Sequence, residues 1–516
     1  MNPALTAPHK SQASRPLILP DDEHNRELIR NSHPLEWVNP TPTGRYNLVV
    51  LGAGTAGLTA AGGCAAVGGR VALIESKFTG GDCLVYGCVP SKGLISAARI
   101  ASNVTRRARD YGVSVQAATV DFGAVMARMR RLRARIAPVD SVEHLRRAGV
   151  DVYLGAARFV ARDAVEVDGR RLEFAKAIIA TGGRAIVPPI PGLHEAGYLT
   201  NETLFELTEL PTRFAMIGAG PIGCEMAQTF QRFGAQVTLI DQAPRLLIRE
   251  DADAAGIVRQ ALVRDGVQLV LGATVRRVEQ RAAECVIAIE QSGRAIEVAC
   301  DAILVGVGRA PNAEGLHLEA ASVRYDKTGV LVNERLQTSN PRIYAAGDIC
   351  SPYKFTHTAN TLGRMAMVNA LFWGRNRASS MIVPWCTYTD PEIAHVGLYE
   401  REAKERGISM TTLTVKLQEN DRAILDGEDE GFVRVHLKQG TDAILGATIV
   451  AAHAGDLLTY FTLLMTKRLG LSALASPIYP YPTQSEALKK LATAYLQTQL
   501  TPTVKRLLGQ ILAWRR

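Results

Sequence analysis

Cysteine is scarce in this sequence, at eight in 516 residues, too few for a disulfide-stapled scaffold. No apolar run reaches the ~18 residues that a membrane-spanning helix needs. The first residues lack the apolar core of a secretory signal, so the expectation is a cytoplasmic protein with reduced thiols. Neither a disordered nor a collagen-like chain fits a composition of 47% apolar and 21% charged residues. Aromatic residues are absent from the densest basic run, Arg128, Arg130, Arg131, Arg133 and Arg135. A surface for stacking bases needs them. The net charge of +9 raises nucleic acid or an anionic membrane as partners, but the arginine run reads as a solvated helix face and no nucleic-acid partner is expected.

What is present is an α/β pattern of about three domains' length. Residues 1–44 carry seven of the 24 prolines and show helical character only over Asp21 to Arg30, which predicts an N-terminal arm ordered only in part. At Tyr46 the pattern changes. Tyr46 to Leu51 is a short apolar run ending in glycine, a buried parallel strand, and strand and helix patterns alternate from there.

One internal similarity stands out, at an offset of 166 residues. Leu48 to Gly57, containing Gly52, Gly54 and Gly57, is answered by Phe214 to Gly223, containing Gly218, Gly220 and Gly223. Each unit is strand, glycine turn, helix, strand and acid, the acids being Glu75 and Asp241. The first glycine allows the tight turn, the second lets backbone approach a pyrophosphate, and the third lets helix and strand pack closely. The helix N-terminus then faces the phosphates, and the acid suits the hydroxyls of a ribose. Two such units predict two dinucleotides and electron transfer between them. Asp241 disfavours a 2′-phosphate and points towards NADH, while Arg245 leaves NADPH open.

Between the first acid and the next helix runs Gly80-Gly81-Asp82-Cys83-Leu84-Val85-Tyr86-Gly87-Cys88-Val89-Pro90-Ser91-Lys92. Four residues separate the two cysteines, enough to close a disulfide across one helical turn. Gly80, Gly81 and Gly87 permit close backbone approach, and Lys92 can stabilise a thiolate or a reduced flavin. The competing readings are a structural metal or a pair of inert core cysteines. Zinc would need four ligands, and no second CxxC or paired histidine lies nearby, so no metal site is expected.

Residues 45 to about 500 resemble the flavin-dependent pyridine nucleotide–disulfide oxidoreductases, the family of dihydrolipoamide dehydrogenase, glutathione reductase and mercuric reductase. The resemblance rests on the cysteine segment and on Ala180-Thr181-Gly182-Gly183, Gly306-Val307-Gly308-Arg309-Ala310-Pro311-Asn312 and Ile343-Tyr344-Ala345-Ala346-Gly347-Asp348. It implies two Rossmann-like dinucleotide-binding domains, for FAD and NAD(P), and an α+β C-terminal dimerisation domain. The expected boundaries are an arm at 1–44, FAD-binding parts at 45–185 and 312–380, an NAD(P)-binding domain at 186–311, an interface domain at 381–500 and a tail at 501–516. FAD would be held by Gly52, Gly54, Gly57, Glu75, Lys92, Thr181, Gly182 and Asp348, and NADH or NADPH by Gly218, Gly220, Gly223, Asp241 and Gly308. The helix after Thr356 would aim its positive end at the flavin ring. Cys88 would be the thiol beside the flavin and Cys83 the interchange thiol. Lys92 and Glu225 match the family's ion pair near the flavin N5 and the nicotinamide. A homodimer is implied, each C-terminal region completing its partner's site.

The chain departs from the pattern in three places. The disulfide-reducing members carry a histidine just before Pro-Thr and Ser-Glu, where this chain reads Tyr481-Pro482-Thr483-Gln484-Ser485-Glu486. Tyr481 therefore stands in the histidine's place while Glu486, its usual orienter, remains. Tyrosine, with a pKa of ~10, is a poor proton shuttle near neutrality where histidine at ~6.5 is a good one. Mercuric reductases resemble this chain in having tyrosine here, but they usually add a C-terminal cysteine pair, and the last cysteine here is Cys386. Pro221 stands where relatives often place a tyrosine gate. The expected activity is electron transfer from NAD(P)H through flavin and Cys83–Cys88 to a soft metal ion such as Hg(II), bound by the two thiolates as substrate, or to a disulfide. The alternatives are a dihydrolipoamide dehydrogenase-like enzyme acting on a lipoyl protein and a non-catalytic, FAD-holding membrane-surface or assembly protein. Past Pro502, Val504, Leu507, Leu508, Ile511, Leu512 and Trp514 form one apolar helical stripe flanked by Lys505, Arg506, Arg515 and Arg516. It suits packing within a dimer or peripheral membrane contact.

Overall fold

The computed structural model describes residues 17–116, 118–281, 284–372 and 374–516. The chain divides into two compact units, 1–244 with 266–381, and 245–265 with 382–516.

In the first unit the strand Tyr46–Leu51 pairs in parallel with Val71–Glu75 on one side and with Arg170–Ile179 on the other. Val150–Leu154 extends the parallel array beyond Val71–Glu75. On the far side Ile343–Ala345 joins Arg170–Ile179, so the chain returns to its first sheet after building the second one. Tyr46–Leu51, Val71–Glu75 and Ile343–Ala345 are nearly continuous apolar runs because both sheet faces are covered there, whereas Arg170–Ile179 alternates until its last three residues. The face carrying Leu48, Val50 and Leu73 packs in one core with Ala56, Ala60 and Leu362, from the helices Thr55–Ala66 and Thr356–Leu371. Gly363 makes the helix crossing tight, since a Cβ there would stand 2.2 Å from the Ala56 carbonyl oxygen.

The second glycine unit starts a separate parallel sheet. Its order is Gln268–Leu271, Gln236–Asp241, Arg213–Ile217 and Ala302–Val305. A three-stranded antiparallel sheet, Ala273–Arg281, Glu284–Gln291 and Arg294–Cys300, accompanies it.

Residues 17–44 are more ordered than the proline-rich sequence suggests, and residues 1–16 lie outside the described ones. The helix Glu23–Ser32 is capped by the Asp22 carboxylate, which accepts from the Asn25 N–H at 2.8 Å. Ile18 and Leu28 are buried in one cluster with Phe78, Leu84 and Val85. The Trp37 indole N–H donates to the Val152 carbonyl at 3.1 Å.

The arginine run corrects the expectation of a solvated face. Arg130 and Arg133 are buried on the helix Phe122–Ile136. Arg133 donates through Nη1 to the Val85 carbonyl and through Nη2 to Asn25 Oδ1, each at 2.6 Å. Arg130 Nε pairs with Asp22 at 2.5 Å. Guanidinium groups enter a core when carbonyl and carboxylate acceptors meet them there. Here those acceptors come from the N-terminal helix and from the helix that carries Cys83.

The second unit is built on a five-stranded antiparallel sheet in the order Pro384–Thr387, Glu392–Gly397, Ile444–Ala451, Phe432–Lys438 and Met410–Lys416. Residues from the helices Ala454–Lys467 and Glu486–Thr498 fill its core. Residues 245–265, which the sequence reading placed within 186–311, group with this unit. Side-chain bonds show why. Glu250 accepts from the Trp385 indole at 2.8 Å and from the Tyr399 hydroxyl, and Arg434 pairs with Asp253 at 2.5 Å and Asp251 at 3.4 Å.

Candidate active site

The two glycine turns repeat one another atom for atom in their essentials. Gly52 has φ +102° and a Cβ there would stand 2.4 Å from the Ala180 carbonyl oxygen; Gly218 has φ +111° and its Cβ would stand 2.5 Å from that of Gly306. On the helices, a Cβ at Gly57 would meet the Gly52 oxygen at 1.8 Å, and one at Gly223 the Gly218 oxygen at 1.8 Å. Only glycine fits these four positions. The acids close each unit alike. Glu75 accepts from the Ala53 N–H at 2.6 Å and the Lys77 N–H at 2.7 Å; Asp241 accepts from Ala219 at 2.5 Å and Ala243 at 2.7 Å. Burial pushes the Glu75 carboxyl above its ordinary range, against these N–H groups. The helices behind the turns, Thr55–Ala66 and Pro221–Phe233, have glycine N-caps with no side-chain cap bond. Their leading N–H groups are not claimed by a capping side chain and suit an anion.

The cysteine segment lies directly on the first turn. The Gly80 N–H donates to the Ala53 carbonyl at 2.9 Å, and a Cβ on Gly81 would stand 2.6 Å from Gly54 Cα. Cys83 sits on the short helix Gly81–Val85 and Cys88 opens the helix Cys88–Ser102. Both are thiols here. Cys88 Sγ lies 3.4 Å from the Thr356 hydroxyl, at the start of the helix Thr356–Leu371. Hydrogen bonds from Cys83 and Thr356 and the charge of Lys92 hold the thiol of Cys88, an exposed residue, down to about 6, against the partial desolvation that neighbouring groups impose. Cys83 moves the opposite way, raised by its bond to Cys88 and by burial. One proton is thus shared by the pair, with the negative charge on Cys88.

Lys92 Nζ donates to Glu225 Oε2 at 2.9 Å, joining the cysteine helix to the helix of the second glycine turn. Pro221 opens that second helix, four residues before Glu225.

Three motifs far apart in sequence meet at one edge of this site. The Thr181 hydroxyl donates to the Asn312 carbonyl at 2.8 Å, and the Asn312 side chain returns a bond to the Thr181 carbonyl at 3.0 Å. Gly182 has φ +69° and accepts from the Asn312 N–H at 3.0 Å. Arg309 donates to the Gly183 carbonyl at 2.6 Å and pairs with Asp82 at 2.9 Å and Asp348 at 3.4 Å. Burial raises both carboxyls and the guanidinium lowers them. The Thr358 hydroxyl is buried without a partner at the start of the helix Thr356–Leu371.

Sequence reasoning singled out neither Arg309 as the link between Asp82 and Asp348 nor Gly306 as the backbone against which the second turn packs. Gly308, expected at the nucleotide, accepts through its carbonyl from the Ile186 N–H at 3.0 Å. Gly306 was visible as the counterpart of Ala180 at the end of a strand; the reach of Arg309 had no sequence signal.

Tyr481 and Glu486 belong to the second unit. The Tyr481 ring is exposed, and its hydroxyl donates to Asp421 at 3.0 Å. That bond raises the phenol pKa, with the negative charges of Asp421 and Glu486 adding to the effect. Asp421 escaped the sequence reading because it lies 60 residues away. Arg245 spends its guanidinium on the Leu247, Ile248 and Glu250 carbonyls at 3.2, 2.8 and 2.9 Å. Among the described residues no cluster of three or more His, Cys, Asp or Glu is arranged to hold a metal.

The buried Thr358 hydroxyl, the Gly52–Gly57 cradle, the enclosed Glu75 and the glycine contact beneath the cysteines fit a flavin dinucleotide. The second turn, built alike, fits a second dinucleotide.

Comparison with known proteins agrees. The pyridine nucleotide-disulphide oxidoreductase family model matches residues 46–363, and the dimerisation domain of that family matches 383–492. The chain is 34% identical over 453 residues to a mercuric reductase of Staphylococcus aureus, covering 88% of this chain and 83% of that protein. It is 33% identical over 458 residues to a dihydrolipoyl dehydrogenase of Thermus scotoductus, covering 87% and 97%. Among solved structures, the Cu(II) complex of the HOCl-induced flavoprotein disulfide reductase RclA from Escherichia coli superposes with a TM-score of 0.77 at 28% identity, covering 86% of this chain and 99% of that one.

Proposed function

The chain belongs to the pyridine nucleotide-disulphide oxidoreductase family, and on that footing we propose that it carries electrons from NADH through FAD to Cys83 and Cys88, and on to a soft metal ion such as Hg(II). Family membership makes it an NAD(P)H-dependent flavoprotein oxidoreductase, and its dimerisation domain implies a homodimer. FAD, when bound, supplies the two-electron relay between nicotinamide and sulfur.

The observation that carries the proposal is the Cys88 thiol, lowered between Cys83 and the Thr356 hydroxyl with Lys92 nearby. A thiolate, not a thiol, is the metal ligand and the nucleophile. Gly52, Gly54 and Gly57 would take the FAD pyrophosphate, Glu75 its adenosine ribose and Asp348 its ribityl region, while Gly218, Gly220, Gly223 and Asp241 would take the nicotinamide dinucleotide. Asp241, held by two N–H groups, favours NADH. Arg245 is engaged with carbonyls of its own loop, which supports that choice.

Tyr481 supports a metal acceptor over a disulfide. Its phenol, raised by Asp421, stays protonated near neutrality and donates a hydrogen bond. It cannot move a proton on and off a substrate thiol as a histidine does. Reduction of a metal ion needs no such shuttle. The Cys88 thiolate displaces one thiol ligand of the ion and Cys83 the other, its proton leaving on a departing thiolate; the two sulfurs would then hold the ion linearly, and the two electrons that reduce it would come from NADH by way of FAD. A solved relative, described as a Cu(II) complex of a flavoprotein disulfide reductase, binds a transition-metal ion, which is compatible with a metal acceptor here.

A disulfide acceptor is the second reading, favoured by the dihydrolipoyl dehydrogenase relatives. There Cys83 would attack the substrate disulfide and release one thiol. Cys88 would then attack Cys83, closing the Cys83–Cys88 disulfide and releasing the second thiol. Anaerobic NADH oxidation with Hg(II)–thiol in one cuvette and oxidised lipoamide in another separates the two readings. The proposal expects turnover with Hg(II), and turnover with lipoamide alone overturns it.

A further inference from the structure

We propose that the helix Pro502–Trp514 docks the protein on an anionic lipid surface. Local signals build this helix firmly: Thr501 caps it by accepting from the Val504 N–H at 3.3 Å, and Pro502 occupies the first turn. Yet every residue from Leu496 to Arg516 is exposed, and nothing on the helix is buried. The helix before it behaves differently, since Leu488, Leu491 and Ala492 of Glu486–Thr498 sit in the core of the five-stranded sheet.

The exposed side chains are sorted by chemistry. At 100° per residue, Val504, Leu507, Leu508, Ile511, Leu512 and Trp514 fall within an arc of about 160°, with Lys505 and Arg506 outside it. Leu512 is 62% exposed and Trp514 85%. An apolar face of that width has a partner in the working protein.

Charge identifies the partner. From Ala487 to Arg516 the chain holds Lys489, Lys490, Lys505, Arg506, Arg515 and Arg516 and no Asp or Glu. Two copies of this helix laid face to face would crowd like charges, which disfavours a second tail as the occupant. Anionic headgroups answer both halves of the pattern. The stripe sinks to the acyl boundary, the cations meet phosphates, and Trp514 lies at headgroup depth. The association is peripheral, because among the described residues no helix is long and apolar enough to cross a membrane. This inference does not depend on the identity of the electron acceptor.

Flotation of the full-length, FAD-loaded dimer with lipid vesicles tests it. With vesicles of about one-third phosphatidylglycerol in phosphatidylcholine, binding should exceed that to pure phosphatidylcholine at least ~tenfold and fall as salt is raised. The double variant Leu508→Glu/Ile511→Glu should lose flotation while keeping its NADH oxidation with ferricyanide and its dimer mass. No flotation of the parent protein, or equal flotation of the double variant, overturns the proposal. A changed dimer mass in the variant also overturns it, by showing that the stripe packs between protein chains.

Discussion

Lys92 and Glu225 meet at 2.9 Å although they stand 133 residues apart, one on the cysteine helix and one on the helix of the second glycine turn. The Glu225 side chain is 6% exposed and that of Lys92 35%. Nearly all the desolvation therefore falls on the carboxylate. Lys92→Met should cost about 2 kcal/mol, below the value for a fully buried pair because the ammonium is partly solvated. The same variant should slow flavin reduction by NADH at least ~tenfold, as loss of a positioned charge does. Thermal unfolding and stopped-flow absorbance read the two effects separately.

The reactivity of Cys88 should reveal its lowered pKa. Because the folded protein holds this thiol down to about 6, the thiolate is present above that pH and is lost as pH falls through it. Iodoacetamide should alkylate Cys88 in the reduced protein at pH 7 at close to its plateau rate. Cys83→Ala removes the largest stabilising bond, and Thr356→Val another, so each should shift the alkylation profile to higher pH. Mass spectrometry of the labelled peptide assigns the site.

Arg133 should be the strongest tie of the N-terminal helix. The residue is 1% exposed, and its guanidinium serves Val85 and Asn25 together. Arg133→Met should cost about 3 kcal/mol, as charged hydrogen bonds lost in a core do, and should open the segment around Glu23–Ser32 to limited proteolysis.

Much of this arrangement was legible in the sequence. The offset of 166 residues between Gly52 and Gly218 predicted the two matching turns, since tight turns and close packing admit only glycine at Gly52, Gly57, Gly218 and Gly223. The glycines of the cysteine segment were read as permitting close backbone approach, and Gly81 meets Gly54 in that way. Arg130 and Arg133 were misread because charge runs normally face water, and nothing in the sequence marks the acceptors at Asp22, Asn25 and Val85 that let them turn inward. Arg309 and Asp421 were missed for the same reason: their roles come from partners at long sequence separation. The grouping of residues 245–265 with the second unit likewise rests on Glu250 meeting Trp385 and Tyr399.

Tyr481→His should restore a proton shuttle beside Glu486. Lipoamide-dependent NADH oxidation should then rise ~10²-fold, within the usual contribution of a general acid–base group, with a new pH dependence near 6.5. Steady-state rates from pH 5 to 9 with lipoamide and with Hg(II)–thiol would show whether the gain is confined to the disulfide.

The nucleotide preference should follow Asp241. With its carboxylate fixed by the Ala219 and Ala243 N–H groups, kcat/KM for NADH should exceed that for NADPH by at least ~tenfold, the size of one unfavourable charge contact of about 1.4 kcal/mol. Asp241→Ser should narrow the ratio. Initial rates with both nucleotides settle the matter.

The central claim is that electrons leave the protein through Cys83 and Cys88. Its most direct test is the double variant Cys83→Ser/Cys88→Ser, assayed anaerobically for NADH oxidation with Hg(II)–thiol and, in parallel, with ferricyanide, which takes electrons from the flavin directly. The account predicts loss of Hg(II) reduction by at least ~10²-fold, as for removal of an essential nucleophile, with ferricyanide reduction retained. Hg(II) reduction at the parent rate in the double variant would contradict it.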